Sequence, residues 1–174
     1  MDNSEQKVWF AMRATYNRAL IAQDILEKSG IMTFTPTRMV KDNSDSLKQI
    51  PVLGNLLFVN SEPSKIQQFK KKLPYLQYIT NTRTHEKIIV PDKQMEHFIA
   101  VCGSYQDQLI WLKPEEVDLR KGQLVRITGG EFEGFEGVFL KVRGARDRRV
   151  IIEIKGVVAV AMATVHPSLI EKIG

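Results

Sequence analysis

Residues 122–138 read GQLVRITGGEFEGFEGV, and the glycines at 129, 130, 134 and 137 punctuate an otherwise strand-like stretch. Glycine is needed where the backbone takes positive φ or where two backbones approach closely, so four within nine residues specify a tightly turned connection between two strands. Val125 and Ile127 alternate on the first strand, and Val138, Leu140 and Val142 on the second, which turns one apolar face of each toward a core. A phosphate-binding loop would need a Gly-Lys-Ser/Thr ending and a following helix, and neither is present.

Working outward, the second half of the chain carries short strands with turn signals between them and almost no helical periodicity. Strands are expected at 123–128, 136–143, 148–154 and 157–163, with a further short one at 164–166. Together they predict a small β-barrel over 122–174, preceded by a polar linker over 104–121 around Ile110-Trp111-Leu112.

The first half reads differently. Residues 8–14, VWFAMRA, form an apolar run and predict a buried strand. A helix follows, with Thr15 or Asn17 as N-cap, Leu20, Ile21, Ile25 and Leu26 on its apolar face and Gly30 closing it. Residues 31–35 predict a strand, 36–50 a polar hairpin or mobile loop, and 55–60, NLLFVN, another strand. Pro63 opens a second helix over 62–73 that buries Ile66, Phe69 and Leu73 and ends in Lys70-Lys71-Lys72. Strands at 75–79 and 87–90 precede a third helix from Pro91 to about Cys102. The order strand, helix, strand, strand, helix, strand is that of a ferredoxin-like α+β sandwich, here over residues 1–103.

Composition narrows the function classes. With 43% hydrophobic and 26% charged residues the chain is globular rather than disordered. The N-terminal stretch MDNSEQK lacks the basic-then-apolar order of a signal peptide, and no apolar run approaches the ~20 residues a membrane span needs. A single cysteine, Cys102, cannot form an internal disulfide, which fits a reducing, cytoplasmic setting. Residues 1–103 hold 14 Lys and Arg against 10 Asp and Glu, and residues 104–174 hold 11 against 10, so the basic surplus sits in the first half. That surplus suits phosphate contact within a larger assembly better than free-standing DNA binding. His85, His97 and His166 are scattered, no metal-ligand spacing exists and no carboxylate pair stands out, so no catalytic, metal or cofactor role is expected.

The stretch 122–154 resembles the KOW motif of NusG-type transcription elongation factors. Val125, Arg126, Ile127, Gly130, Phe132, Gly134, Gly137 and Val138 match its pattern, while Glu131 stands where the motif has proline. Trp9-Phe10, the Tyr-Asn-Arg turn and Gly54-Asn55-Leu56-Leu57-Phe58-Val59 look like the N-terminal domain of the same family, so the resemblance covers about 7–174. It implies a non-enzymatic, cytoplasmic, monomeric factor that docks on the clamp helices of RNA polymerase and suppresses pausing or termination. The docking positions it implies are Arg13, Leu53, Leu56 and Phe58. On the residues alone, Leu56 and Phe58 fit either core, with Leu57 outward, or an exposed apolar patch; the resemblance favours the patch.

Members resembling RfaH read the exposed non-template DNA strand, and the matching positions are Thr15, Tyr16, Asn17, Arg18, Lys70, Lys71 and Lys72. Tyr16 suits base stacking and Arg18 hydrogen bonding, while the lysines suit either phosphates or a solvated helix end that complements the macrodipole. Nascent RNA is the other nucleic acid in view. Where housekeeping members offer an isoleucine-phenylalanine pair to a ribosomal protein or to Rho, this chain has Ile154-Lys155, a departure that counts against those partners. Phe132 and Phe135 remain as exposed anchors or barrel core, and Arg143, Arg146, Arg148 and Arg149 as RNA contacts or a solvated turn. The pattern resembles the operon-specific UpxY and RfaH kinds; the alternative is a ribosome-associated KOW-type RNA-binding protein.

Overall fold

The computed structural model describes residues 5–174 except Tyr105 and Val117. The chain divides into two compact units, residues 1–95 and 96–174.

The first unit is built from β1 (Val8–Ala14), α1 (Ala19–Lys28), β2 (Met32–Phe34), β3 (Thr37–Lys41), β4 (Leu47–Pro51), β5 (Leu56–Ser61), α2 (Pro63–Lys72), β6 (Leu76–Tyr78), β7 (Ile89–Val90) and the first turn of α3 (Asp92–Cys102). Its sheet runs β2-β5-β1-β6, with β7 also on β1, and every pairing is antiparallel. This is the expected ferredoxin-like sandwich. One sheet face, with Phe10, Met12, Leu57, Val59 and Leu76, packs with Ala19, Ala22 and Leu26 of α1 and Ile66 of α2.

Helix α1 ends as its sequence demands. Gly30, at φ +80°, donates to Glu27 O at 3.0 Å, and Ile31 N–H donates to Leu26 O at 3.0 Å, the two bonds of a Schellman closure. Ile31 and Leu26 then share the core. Its buried face differs from the expected one: Ala19, Ala22 and Leu26 point inward, while Leu20 and Ile21 are 38% and 56% exposed. Arg18 occupies the N-cap position without a side-chain cap, so neither Thr15 nor Asn17 caps the helix.

Residues 36–50, expected as a hairpin or loop, form a two-stranded ribbon of β3 and β4. Its turn is set by Asp42, whose carboxylate accepts from the Ser44 N–H, the Ser44 hydroxyl and the Ser46 N–H at 2.9, 2.7 and 3.0 Å. Those bonds, the Ser44 hydroxyl foremost, hold the Asp42 carboxyl below its ordinary value.

Strands β6 and β7 are two halves of one edge strand. Ile79 N–H donates to Ala11 O and Ala11 N–H donates to Ile88 O, so the residues on either side of the 80–87 segment meet the same residue of β1. Between them the chain leaves the sheet as a loop closed by a bridge between Thr80 and Lys87 and by the Asn81 side chain, which accepts from the backbone of Arg83 and Thr84.

The second unit holds the rest of α3, then β8 (Ile110–Leu112), β9 (Gln123–Ile127), β10 (Glu136–Leu140), β11 (Arg149–Ile154), β12 (Val158–Ala161) and β13 (Ile170–Lys172). They form one antiparallel sheet in the order β13-β9-β10-β11-β12-β8, the small β-barrel predicted from the strand spacing, of the SH3-like kind that a KOW domain implies. Residues 104–121, expected as a linker, contribute β8, which pairs with β12 and places Leu112 in the barrel core. The last strand falls at 170–172 rather than 164–166. Within this unit His97 of α3 stacks on Phe135 with ring centroids 3.9 Å apart, and Phe98 meets Trp111 edge-on at 6.0 Å.

Candidate nucleic-acid interface

The turn from β1 into α1 is a sharply shaped, exposed feature of the first unit. Tyr16 and Asn17 both sit at positive φ, 60° and 57°, the sign pattern of a type I′ turn. Left-handed backbone costs a residue with a Cβ roughly 1–2 kcal/mol, and asparagine least of the non-glycine types, so Tyr16 carries the larger strain. Tertiary bonds hold it there. Thr15 N–H and its hydroxyl both donate to Tyr75 O, at 3.0 and 3.4 Å, and Asn17 N–H donates to the Asn55 side-chain oxygen at 3.0 Å. Gly54 completes the fit, because a Cβ there would lie 2.6 Å from Asn17 Oδ1.

This scaffold leaves Tyr16 82% exposed and sets the Arg18 guanidinium 5.6 Å from its ring centroid and 5.0 Å from that of Tyr75. A planar cation within about 6 Å of two aromatic rings suits bases, which stack on the exposed ring, and phosphates, which pair with the guanidinium. Tyr75 was not among the expected residues. Its signal was the aromatic interleaving of KKKLPYLQY directly after the lysine run.

The three lysines at the end of α2 separate into distinct environments. Lys70 Nζ lies 4.3 Å from the Tyr78 ring centroid and Lys72 Nζ lies 5.8 Å from that of Phe69, while Lys71 is exposed. The bond from Thr15 to Tyr75 brings the Tyr16 turn to the segment that directly follows them. Burial pushes the Tyr78 phenol above its usual value, and its hydroxyl is enclosed without a hydrogen-bond partner.

The four expected docking residues are neighbours but not an open patch. Arg13 lies directly opposite Leu56 in the register of β1 with β5, and Phe58 sits two residues further on the same face. Arg13 is exposed and Leu53 half-buried, yet Leu56 is 5% and Phe58 0% exposed. The expectation of exposed Leu56 and Phe58 is therefore corrected: both are core, as the alternative had it, while Leu57, which that alternative turned outward, is equally buried. An unbroken apolar run, LLFV, is what a strand covered on both faces requires, whereas a half-exposed strand alternates.

In the barrel, Val125 and Ile127 face the core, Gly130 and Gly134 take positive φ in the β9–β10 connection, and Gly137 marks a close approach: a Cβ would lie 2.6 Å from Ile151 O. Arg126 pairs with Glu136 across the strands at 2.8 Å, which holds its guanidinium charged. Phe132 and Phe135 are half-buried and in contact at 5.3 Å, so neither is barrel core. Ile154 is buried, which leaves Lys155 as the side chain presented at that tip. Arg149 donates to Gln108 O and Met162 O at 3.1 and 2.8 Å, tying strand ends together, while Arg143 and Arg148 are exposed.

Among the described residues no three His, Cys, Asp or Glu side chains converge. Cys102 is buried, and burial pushes its thiol well above the ordinary range. No helix among the described residues is long and apolar enough to cross a membrane.

The whole chain, not one unit of it, has a counterpart among solved structures. It is similar to NusG of Thermotoga maritima, with 22% identical residues, 97% of this chain and 98% of that chain covered, and a TM-score of 0.50. The fold is NusG-like. No family model matches the sequence, and no curated protein does. The ferredoxin-like unit and the barrel thus occur together in the NusG-like arrangement along the chain.

Proposed function

We propose that this protein is a non-enzymatic transcription elongation factor that binds RNA polymerase and contacts a single nucleic-acid strand through the Tyr16 turn. The observation that carries the reading is the strained, exposed Tyr16 beside Arg18 and Tyr75, in a chain whose NusG-like fold extends over 97% of its length. Strain maintained at an exposed aromatic is more simply explained by a ligand than by stability, since folding alone would favour glycine there.

In this reading Arg13, Leu53, Leu56 and Phe58 form the face that meets the polymerase clamp helices. Because Leu56 and Phe58 are buried, docking through them requires that face to open first. Thr15, Tyr16, Asn17 and Arg18 meet the non-template DNA strand or nascent RNA, with Lys70, Lys71 and Lys72 on phosphates. The activity is suppression of pausing or termination, at specific operons such as those for polysaccharide synthesis, by a monomer in the cytoplasm. The buried Ile154 and the exposed Lys155 count against a ribosomal protein or Rho as partner of the barrel.

The test is co-purification with core RNA polymerase, followed by run-off transcription across a terminator. Stoichiometric co-elution and increased read-through are expected. Retention on ribosomal RNA with no affinity for polymerase would replace this reading with that of a ribosome-associated RNA-binding protein.

A further inference from the structure

The loop at 80–87 brings a second lysine to Tyr78. Lys87 Nζ lies 4.2 Å from the Tyr78 ring centroid, and Lys70 Nζ, from the end of α2, lies 4.3 Å from the same centroid. Two ammoniums are thus held within two ring-contact distances of each other, and neither forms an ion pair among the described residues. Each ammonium gains from the ring, the two repel each other only weakly across water, and an anion seated between them would turn that repulsion into attraction to a shared ligand. The position of Lys87 is not accidental slack. It forms the bridge with Thr80 that closes the loop, directly before Ile88 rejoins β1, so the loop's geometry sets where its side chain starts.

Tyr78 and Tyr75 lie three residues apart along the same edge, roughly 10 Å at the rise of an extended chain. The edge therefore carries two cation-aromatic stations, Arg18 with Tyr16 and Tyr75 at one end, and Lys70 and Lys87 with Tyr78 at the other. We propose that Lys70 and Lys87 form a phosphodiester-binding station, with Tyr78 as its platform, which grips the backbone of a single nucleic-acid strand whose bases stack at Tyr16. Lysines supply point charges without base readout, so the station binds any sequence and sets the register of the strand against the Tyr16 turn. This inference deepens the elongation-factor reading at its nucleic-acid site and rests on that reading only for its biological setting, since the strand can be tested without polymerase.

The experiment measures binding of the full chain to fluorescent oligothymidylate, oligouridylate and a DNA duplex across a salt series. Replacing both lysines, as K70A/K87A or K70Q/K87Q, is expected to reduce the slope of log affinity against log salt for single strands by about 1.4 and to weaken binding roughly tenfold near 0.1 M salt. K70R/K87R should retain both values, and K48A/K65A, elsewhere on the same unit, should leave them unchanged. Equal losses for DNA and RNA identify the phosphodiester itself as the ligand; a loss confined to one names which strand is used. An unchanged slope in both double variants overturns the proposal, as does an equal loss in K48A/K65A or on the duplex. Polymerase co-purification of K70Q/K87Q should be preserved, so failure of the station and failure of the elongation-factor reading give different results.

Discussion

Strands β5 and β6 both pair antiparallel with β1, one on each side, yet they serve the molecule in opposite ways. β5 lies between β2 and β1 and buries Leu56, Leu57, Phe58 and Val59 on both its faces. β6 lies at the edge, is only three residues long before the chain leaves the sheet, and alternates a buried Leu76, an exposed Gln77 and a half-buried Tyr78. The difference follows from position. A central strand gains most by being apolar throughout, while an edge strand must blunt its open side, and here the 80–87 loop and the lysines do so. The charge that protects the edge is the same charge that suits it to phosphate.

The largest contrast expected between the two is in stability. Phe58→Ala removes a fully buried aromatic from β5 and should cost about 3–5 kcal/mol, enough to unfold a marginal domain. Urea denaturation measures it, and a cost below about 1 kcal/mol would mean that the far face of β5 is not packed as described. Loss of polymerase binding in that variant would therefore report unfolding rather than docking. Arg13→Ala, exposed on the same face, is the cleaner probe of the docking surface.

Next in size is an effect on binding alone. Tyr16→Ala removes a stacking platform worth about 1–3 kcal/mol per base, so single-strand affinity should fall between fivefold and a hundredfold with the melting temperature unchanged. Unchanged affinity would move the nucleic-acid site away from this turn.

What the sequence disclosed and what it hid also follow from the contrast. The glycines of 122–138 and the Gly30 helix closure were legible because φ sign and close approach are local requirements that few other residues meet. The order of helices and strands was legible because the helices expected at 62–73 and from 91 to about 102 form at 63–72 and 92–102, each starting at or beside a proline. Burial of Leu56 and Phe58 was not, because the second face of a strand is covered by residues distant in sequence and periodicity reports only that a run is apolar. β8 was hidden for a related reason: Ile110-Trp111-Leu112 is too short to announce itself until β12 supplies a partner. The two aromatic stations combine residues 16, 18 and 75, and 70, 78 and 87, distances along the chain that no motif spans.

Asn55 joins the two regions, since it directly precedes β5 and its side chain accepts the Asn17 N–H of the turn. Asn55→Ala should cost about 1 kcal/mol, the ordinary worth of one such bond, and should also weaken single-strand binding because the turn loses its tether. A stability loss with full affinity would show that Tyr75 alone suffices to hold the turn.

The smallest effect carries the sharpest sign. At Tyr16 the backbone φ of 60° is one that glycine adopts freely, so Tyr16→Gly should stabilise the protein by about 1 kcal/mol, offset in part by the greater freedom of glycine in the unfolded chain. Tyr16→Ala keeps the Cβ and the strain, so it should not gain. If the turn exists for folding, glycine at 16 is harmless; if it exists for a ligand, the same substitution raises the melting temperature and removes single-strand binding together. A paired measurement of thermal melting and oligonucleotide affinity on these two variants separates strain from stacking, because only Tyr16→Gly relieves the first and both remove the second.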